Sequence, residues 1–310
     1  MALDLDPTNA PPPAPPSSDP TGWSRPVSGL AWAVLFYLST FVVWQILTAT
    51  LLDFVDDRLL LAAAPLTAAN LLTNFVFPRP EGTPRLDGLG LHSANGLRLF
   101  LVGLALAAAA AFVAVGGAAA VGEIHLSEGE SVSLGDGAAI LATLALAALG
   151  EELFFRGYGF QQLGRVFTPA GAAVFCGLGF GFLHGHNPDV SEVAIANTVL
   201  FGILFGLAVV WSRSFWLPYG MHLGWNWALA LLGAPISGLS VQATSLATEP
   251  LGGDLWDGGA YGPEGGLAAT LVVFALLRAV RAVRGANHGG RLIWEDGSED
   301  HPIPVIRMPD

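Results

Sequence analysis

A series of long apolar stretches dominates this sequence. They cover residues 29–52, 59–77, 96–122, 137–163, 169–186, 193–211, 215–234 and 265–284. Most of them are long enough for a helix to cross about 30 Å of hydrocarbon, so the pattern predicts about eight transmembrane spans. Hydrophobic residues make up 53% of the chain and charged residues only 12%, which excludes an ordinary soluble globule. We therefore expect an all-α fold, a polytopic transmembrane helical bundle.

The charge balance excludes nucleic acid as a partner. The chain has 13 basic and 25 acidic residues, a net charge of −12, and no basic patch that could neutralise phosphates. Its single cysteine, Cys176, cannot form an internal disulfide. The expected partners are the lipid bilayer and a membrane-embedded or membrane-anchored peptide or protein substrate.

The apolar stretches divide the chain into five regions. A Pro-rich tail, 1–28, is expected to be disordered because it cannot bury enough apolar surface to fold. N-terminal transmembrane helices occupy 29–135, and a core with the polar motifs occupies 136–233. An acidic external loop and the last transmembrane helix follow at 234–284, and a polar, flexible tail at 285–310.

The loop charges predict an orientation in the cell membrane. Near the ends of the predicted spans, all the arginines except Arg58 fall on one side. The connections 123–136 and 249–264 contain no arginine and carry eight acidic residues on the other side. Because basic residues near span ends are retained in the cytoplasm, both termini are predicted to be cytoplasmic. We also expect a polar cavity that opens toward the cytoplasm.

Three charged residues lie within the fourth predicted span. They are Glu151, Glu152 and Arg156. Because the free energy of placing a carboxylate at membrane depth is high, these residues are expected to have a structural or functional role. On a helix, Glu152 and Arg156 are i,i+4 neighbours that can pair, whereas Glu151 projects away from Arg156. The unpaired Glu151 suits a general base that takes a proton from water. The alternative is a structural charge cluster that holds helices together.

Two more polar pairs occupy later spans. Phe180 and His184 share one helix face at i,i+4, and so do His222 and Asn226. Either pair could simply make hydrogen bonds between helices. At about 1.5 Å per residue, however, Glu151 and these polar residues lie at similar depths, about 10–22 Å from the predicted cytoplasmic helix ends. We therefore expect them to meet in one water-filled site.

Taken together, these motifs resemble those of the CAAX protease and bacteriocin-processing (CPBP) intramembrane proteases, which include the Rce1-type prenyl endopeptidases. The resemblance covers residues 136–233. It implies that Glu151 and His184 activate a water molecule and that His222 and Asn226 stabilise the oxyanion of the tetrahedral intermediate. Glu152, Arg156 and Phe180 are implied to have supporting roles. The expected activity is an endopeptidase acting on membrane-associated substrates, either prenylated CAAX proteins or secreted peptides.

The need for a metal stays open at this point. Glu151, His184 and His222 could form the His₂Glu shell of a catalytic zinc ion. The sequence has no His-Glu-x-x-His motif, and we favour a mechanism without metal or other cofactor. Two other functions are considered. One is a non-proteolytic membrane adaptor or bacteriocin-immunity protein that retains the fold, and the other is a transporter with a proton relay, which lacks the support of an inverted repeat.

Glycines at four-residue spacing occur in two of the predicted spans. They are Gly177, Gly181 and Gly185 in one span and Gly202 and Gly206 in the next. Small residues let helix backbones approach closely in lipid, where hydrophobic burial cannot drive association. The spacing therefore predicts close packing between these helices.

Overall fold

The computed structural model describes residues 25–78, 88–92, 94–283 and 292–295, and these residues form a helical membrane bundle. The helices are α1 (Arg25–Leu51), α2 (Arg58–Val76), α3 (Gly96–Ala120), α4 (Leu134–Arg156), α5 (Tyr158–Val166), α6 (Pro169–His184), α7 (Glu192–Ser212), α8 (Trp216–Leu232), α9 (Asp254–Asp257) and α10 (Leu267–Arg281). Strands β1 (Ile124–Glu128) and β2 (Leu246–Pro250) form a two-stranded antiparallel sheet. The predicted helical bundle is confirmed, and this small sheet is an addition that the hydropathy pattern does not indicate.

Five helical segments of the described chain are long and apolar enough to cross a membrane: α1, α2, α3, α4 with its continuation α5, and α7. The other three predicted spans correspond to α6, α8 and α10, which have 16, 17 and 15 residues. At about 1.5 Å per residue, these three are shorter than a hydrocarbon layer of about 30 Å. All eight predicted apolar segments are therefore helical, but only five of them in the described chain are long enough to count as membrane spans.

Helices α3 and α8 are in contact backbone to backbone. A Cβ added at Gly220 or Gly224 of α8 would overlap the carbonyl oxygen of Phe100 or Leu104 on α3. Because these glycines repeat every four residues, they form one face of α8. Residues two positions further on, such as His222 and Asn226, project from the opposite face. The glycine contact thus fixes the rotation of α8 and the direction in which its polar side chains point.

Helices α6 and α7 also pack through small residues. A Cβ on Gly202 would come within 2.8 Å of the Gly177 backbone, and one on Gly206 within 2.7 Å of Ala173. Gly181 similarly lies against Val199. The packing predicted from the glycine spacing is confirmed at these positions. It is wrong for Gly185, which caps the end of α6 and whose added Cβ would meet only carbonyl oxygens of its own helix.

The predicted span 137–163 is broken at Gly157. The amide of Tyr158 donates to Asn74 Oδ1 at 2.7 Å, and Asn74 Nδ2 donates to the carbonyl of Leu153 at 3.2 Å. A Cβ at Gly157 would overlap both Asn74 and the Leu153 carbonyl oxygen. The side chain of Asn74 on α2 thus provides hydrogen bonds where the helix is interrupted. The estimate of depth for Glu151 assumes an unbroken helix and stays a prediction.

The connections between helices lie at two ends of the bundle. One end, the sheet end, carries the β1–β2 sheet, which joins the segment after α3 to the segment after α8. The turn after α6 lies there too, because Asn187 Nδ2 donates to the carbonyl of Ser237 at 3.0 Å. The other end, the arginine end, carries the connections that follow α2, α5 and α7.

A short part of the C-terminal tail packs against the bundle. Leu292 and Ile293 are fully buried, and the amide of Ile293 donates to the carbonyl of Gly88 and to Gln161 Oε1. The ring of Trp294 lies 5.5 Å from that of Phe160. The expectation of a flexible C-terminal tail is therefore wrong for residues 292–295, because their apolar side chains find buried partners. The remainder of this tail and almost all of the N-terminal tail lie outside the described residues.

Replacing Gly224 by alanine should destabilise the protein by about 1–3 kcal/mol, because the added methyl overlaps the α3 backbone. Gly116→Ala on α3 is the matched control. An added Cβ there meets nothing within 4 Å, so the change should be neutral or slightly stabilising. Thermal unfolding of both variants in detergent checks this, and equal melting temperatures for the two would contradict the packing described here.

Candidate active site

The structure brings the predicted polar residues to one cavity of about 210 Å³ inside the bundle. Its walls are formed by α4, α6, α7 and α8 and by loops of the sheet end. The lining includes Glu151, Phe180, His184, His222 and Asn226. Polar groups from three non-adjacent segments therefore share one space, as their similar depth predicts.

The ion pair predicted between Glu152 and Arg156 is present and completely buried. Arg156 Nη1 donates to Glu152 Oε1 at 3.0 Å, and both side chains are 0% exposed. The other end of the guanidinium, Nη2, donates to the carbonyl of Gly202 on α7 at 2.7 Å. The guanidinium carbon also lies 5.3 and 5.4 Å from the ring centroids of Phe180 and Phe205, a distance at which a cation is attracted by an aromatic ring. Arg156 thus joins α4 to α6 and α7.

Glu152 has a second partner that sequence reasoning misses. Its Oε1 lies 2.9 Å from His222 Nδ1 on α8. Because a carboxylate paired with a guanidinium can only accept, His222 Nδ1 is the donor, which fixes the orientation and tautomer of the ring. The ring also stacks on Phe205, with centroids 5.2 Å apart and an interplanar angle of 18°. No spacing rule connects residues 70 positions apart, so only the packing of α4 against α8 reveals this bond.

Glu151 is not engaged by a guanidinium. Its Oε2 lies 3.9 Å from His222 Nε2, and this oxygen is buried without a hydrogen-bond partner among the described residues. The side chain as a whole is 26% exposed and lines the cavity. Glu152 Oε1 accepts from both Arg156 and His222, and its Oε2 is also buried without a partner in the described residues, but Glu152 is 0% exposed and does not line the cavity. Of the two neighbours, Glu151 is therefore the carboxylate that is available to the cavity.

His184 and Asn226 complete the set of polar groups. His184 Nδ1 lies 2.7 Å from the carbonyl oxygen of Phe180. Since a carbonyl only accepts, Nδ1 donates and Nε2 remains as an acceptor. Asn226 is 7% exposed and lines the same cavity. Within the described part of the chain its carboxamide has no hydrogen-bond partner, so its donors remain available.

A third carboxylate in the cavity wall, Glu264, is absent from the sequence prediction. It is 8% exposed and comes from the turn Pro263–Gly265 before α10. Its carboxylate accepts from Trp225 Nε1 at 3.0 Å, from Ser237 Oγ at 2.8 Å and from the amide of Ser237. Burial raises the pKa of Glu264, while the bonds from Ser237, the nearby His184 and the bond from Trp225 oppose this rise.

Nothing in the sequence distinguishes Glu264 from the other acids of the external loop. Its place is set by Asn197 of α7, whose Nδ2 donates to the carbonyls of Glu264 and Gly266 at 2.8 Å each. Trp225 of α8 also lines the cavity. A run of glycines around Glu264 is the one signal of a tight turn that the sequence offers.

The loops that line the cavity lie at one end of the bundle. The connections that line the cavity all belong to the sheet end, and they contribute Asn187, Ile236, Ser237, Leu239 and Glu264. Among the described lining residues, none comes from a connection at the arginine end. The orientation predicted from arginine places the sheet end away from the cytoplasm. A cavity that opened between these loops would face away from the cytoplasm, and the predicted cytoplasmic opening and the predicted cytoplasmic termini both stay predictions.

The residues considered for zinc do not form a ligand set. Within residues 25–78, 88–92, 94–283 and 292–295, no group of three or more His, Cys, Asp or Glu side chains is placed to hold a metal ion. His222 directs Nδ1 to Glu152 and Nε2 to Glu151. The set Glu151, His184 and His222 therefore does not fit a metal in this structure. A mechanism without cofactors stays a prediction.

Comparison with known proteins gives a family-model match to this region and a similarity to a curated relative. Residues 134–228, about a third of the chain, match the family model described as type II CAAX prenyl endopeptidase Rce1-like. The uncharacterized protein YyaK of Bacillus subtilis (strain 168) is 27% identical over 124 residues, which cover 39% of this chain and 42% of YyaK. The match thus spans less than half the length of this relative.

The family match covers the three motifs and the helices α4 to α8 that surround the cavity. It coincides closely with the region 136–233 that carries the resemblance in the sequence. The apolar helices make the chain a membrane protein. Residues 134–228 are therefore similar to the Rce1-like type II CAAX prenyl endopeptidases, and this match supports a CPBP/Rce1-type family.

Proposed function

We propose that this protein is an intramembrane endopeptidase in which Glu151 activates a water molecule for attack on a peptide bond. One observation carries the proposal: the Glu151 oxygen that faces His222 is buried without a hydrogen-bond partner, and its side chain lines the cavity. A carboxylate held in this way can accept a proton from water. The family match supports peptide-bond hydrolysis as the reaction class.

His184 is the second group that acts on the water. Its Nδ1 is occupied by the carbonyl of Phe180, so its Nε2 can accept a hydrogen bond from the same water molecule. Two acceptors orient the water so that its oxygen lone pair points at the substrate carbonyl carbon. Glu151 takes one proton as the new carbon–oxygen bond forms.

Asn226 and His222 are proposed to stabilise the oxyanion. The carboxamide of Asn226 offers donors in a largely buried position, where donors act most strongly on developing charge. His222 donates from Nε2 only when its ring is protonated, because Nδ1 already donates to Glu152. In the protonated form, the negative charges of Glu151 and Glu152 flank the ring. When the tetrahedral intermediate collapses, the carbon–nitrogen bond breaks and the proton held by Glu151 passes to the leaving amine.

The substrate proposed is a membrane-associated peptide, either a prenylated CAAX-type protein or a secreted peptide. The proposed location is the cell membrane, with cytoplasmic termini. No cofactor is required by this scheme. A non-proteolytic adaptor or immunity role is the alternative, and the same variants distinguish it because binding alone does not need the carboxylate of Glu151.

Replacing Glu151 by glutamine should lower the rate of peptide cleavage by about 10²–10⁴-fold, because the isosteric amide cannot take the proton. The assay uses purified, detergent-solubilised protein and fluorogenic peptides. Glu192→Gln, a change of the same type at an exposed position of α7, should keep the parental rate. Parental cleavage by the Glu151 variant would exclude the proposed base, and retained function in cells without cleavage would favour the adaptor.

Arg156→Gln should destabilise the fold and lower activity without removing the attacking group. The change leaves Glu152 buried at 0% exposure without its cation, and breaking a buried ion pair costs about 3–5 kcal/mol. Arg98→Gln, at an exposed position of α3, should change the melting temperature little. A melting temperature for the Arg156 variant equal to that of the parent would show that the pair does not hold the helices together.

Removal of metal should leave cleavage unchanged, because the cavity side chains do not form a ligand set. The test combines elemental analysis of the purified protein with a chelator titration of its activity. Stoichiometric zinc, with activity lost on chelation and restored by added metal, would overturn this expectation. The Glu151→Gln variant is the inactive reference for background hydrolysis.

A further inference from the structure

Glu264 presents a fixed carboxylate to the cavity at a distance along the chain from the proposed catalytic motifs. Its oxygens are held by donors from Trp225 and Ser237, and its backbone by Asn197. All of these donors are neutral. They fix the position of the carboxylate but do not cancel its charge.

The cavity contains no permanent cation to balance this charge. The sequence has no lysine, and among the described lining residues there is no arginine. The lining has two carboxylates, Glu151 and Glu264, and the imidazoles of His184 and His222 are its other titratable side chains. A segment of substrate that enters therefore meets an excess of negative charge.

The surroundings of the cavity have the same sign. The sheet end carries Glu128 at the end of β1, Glu130 in the following loop and Asp136 in the first turn of α4, and acidic residues also follow β2. Arg58 is the one arginine of the described residues at this end. A surface of predominantly one sign attracts ligands of the opposite sign and repels those of the same sign.

We propose that Glu264 is a specificity-determining residue: its fixed carboxylate favours a substrate segment that carries a basic side chain and disfavours one that carries a free carboxylate. The inference rests on the proposed peptide-cleaving function and names the substrate class for it. A CAAX protein ends in a free carboxylate close to the bond to be cut. Glu264 therefore favours an internal bond of a basic peptide over a bond next to a C-terminus.

The experiment uses the purified full chain and a set of internally quenched peptides of one sequence. They carry arginine, glutamine or glutamate next to the scissile bond, and the glutamine peptide is made with an amidated and with a free C-terminus. Assays run at about pH 8, because burial raises the pKa of Glu264 and the proposal concerns its ionised form. For the parent, kcat/KM should fall from the arginine to the glutamine to the glutamate peptide, and the amidated form should be preferred to the free acid.

The Glu264→Gln variant should lower the ratio of kcat/KM for the arginine and glutamate peptides about tenfold, which corresponds to about 1.4 kcal/mol. Glu128→Gln removes the same charge at an exposed position of the sheet end and should leave the ratio unchanged. An unchanged ratio in a folded Glu264 variant, or a parental preference for the free acid, would overturn the proposal. An equal fall of this ratio in the Glu128 variant would also overturn the proposal, because the preference would then come from the negative charge of the whole sheet end and not from Glu264.

A binding measurement separates this inference from the proposed function. Fluorescence anisotropy gives the affinity of Glu151→Gln protein for the arginine and glutamate peptides, with and without the added Glu264→Gln change. A preference for the arginine peptide that disappears when Glu264 is replaced supports the inference even where no peptide is cleaved.

If the Glu264→Gln variant does not fold, Ser237→Ala provides a second test. This change keeps the charge of Glu264 and removes the Oγ donor, so the variant should retain the preference for the arginine peptide. Loss of that preference in folded Ser237→Ala would contradict a role for the charge itself.

Discussion

The buried carboxylate of Glu152 holds the centre of this bundle together. Its Oε1 accepts from Arg156 on its own helix and from His222 on α8, and neither Glu152 nor Arg156 is exposed at all. An ion in this position is tolerated only when its charge is compensated. That requirement links α4 to α8, and through the bond from Arg156 to the carbonyl of Gly202 it links α4 to α7. Of the two adjacent glutamates, Glu151 is the one that lines the cavity.

Close helix packing determines where the polar side chains of the cavity lie. The glycine face of α8 lies against the backbone of α3, so the face with His222 and Asn226 is turned to the cavity. The contact of α6 with α7 through Gly177 and Gly202 brings Phe180 and His184 to the same place. Because glycine gives the closest approach of two backbones, small changes at these contacts would rotate or displace the polar side chains. The chemistry proposed for the cavity therefore depends on residues that never touch a substrate.

The part of the site that is predictable from sequence is the part governed by helix periodicity. The i,i+4 rule pairs Glu152 with Arg156 and separates Glu151 from both, and the structure has this arrangement. The rule does not reach contacts between helices, such as Glu152 with His222. It also gives no reason to select Glu264, because the position of a loop carboxylate depends on donors from three other segments. The rule likewise does not predict which loops line the cavity, because this depends on how the helices pack.

The sequence by itself determined that this chain is a helical membrane protein, where its apolar segments lie and which polar residues within them are candidates for chemistry. These features depend on local hydropathy and on a helical repeat, which are the same in any packing. Tertiary structure alone decided that three helices share one cavity, that α4 breaks at Gly157 beside Asn74, and that Glu264 joins the wall. These outcomes depend on how buried polar groups find partners on other segments, because each must be satisfied within the protein.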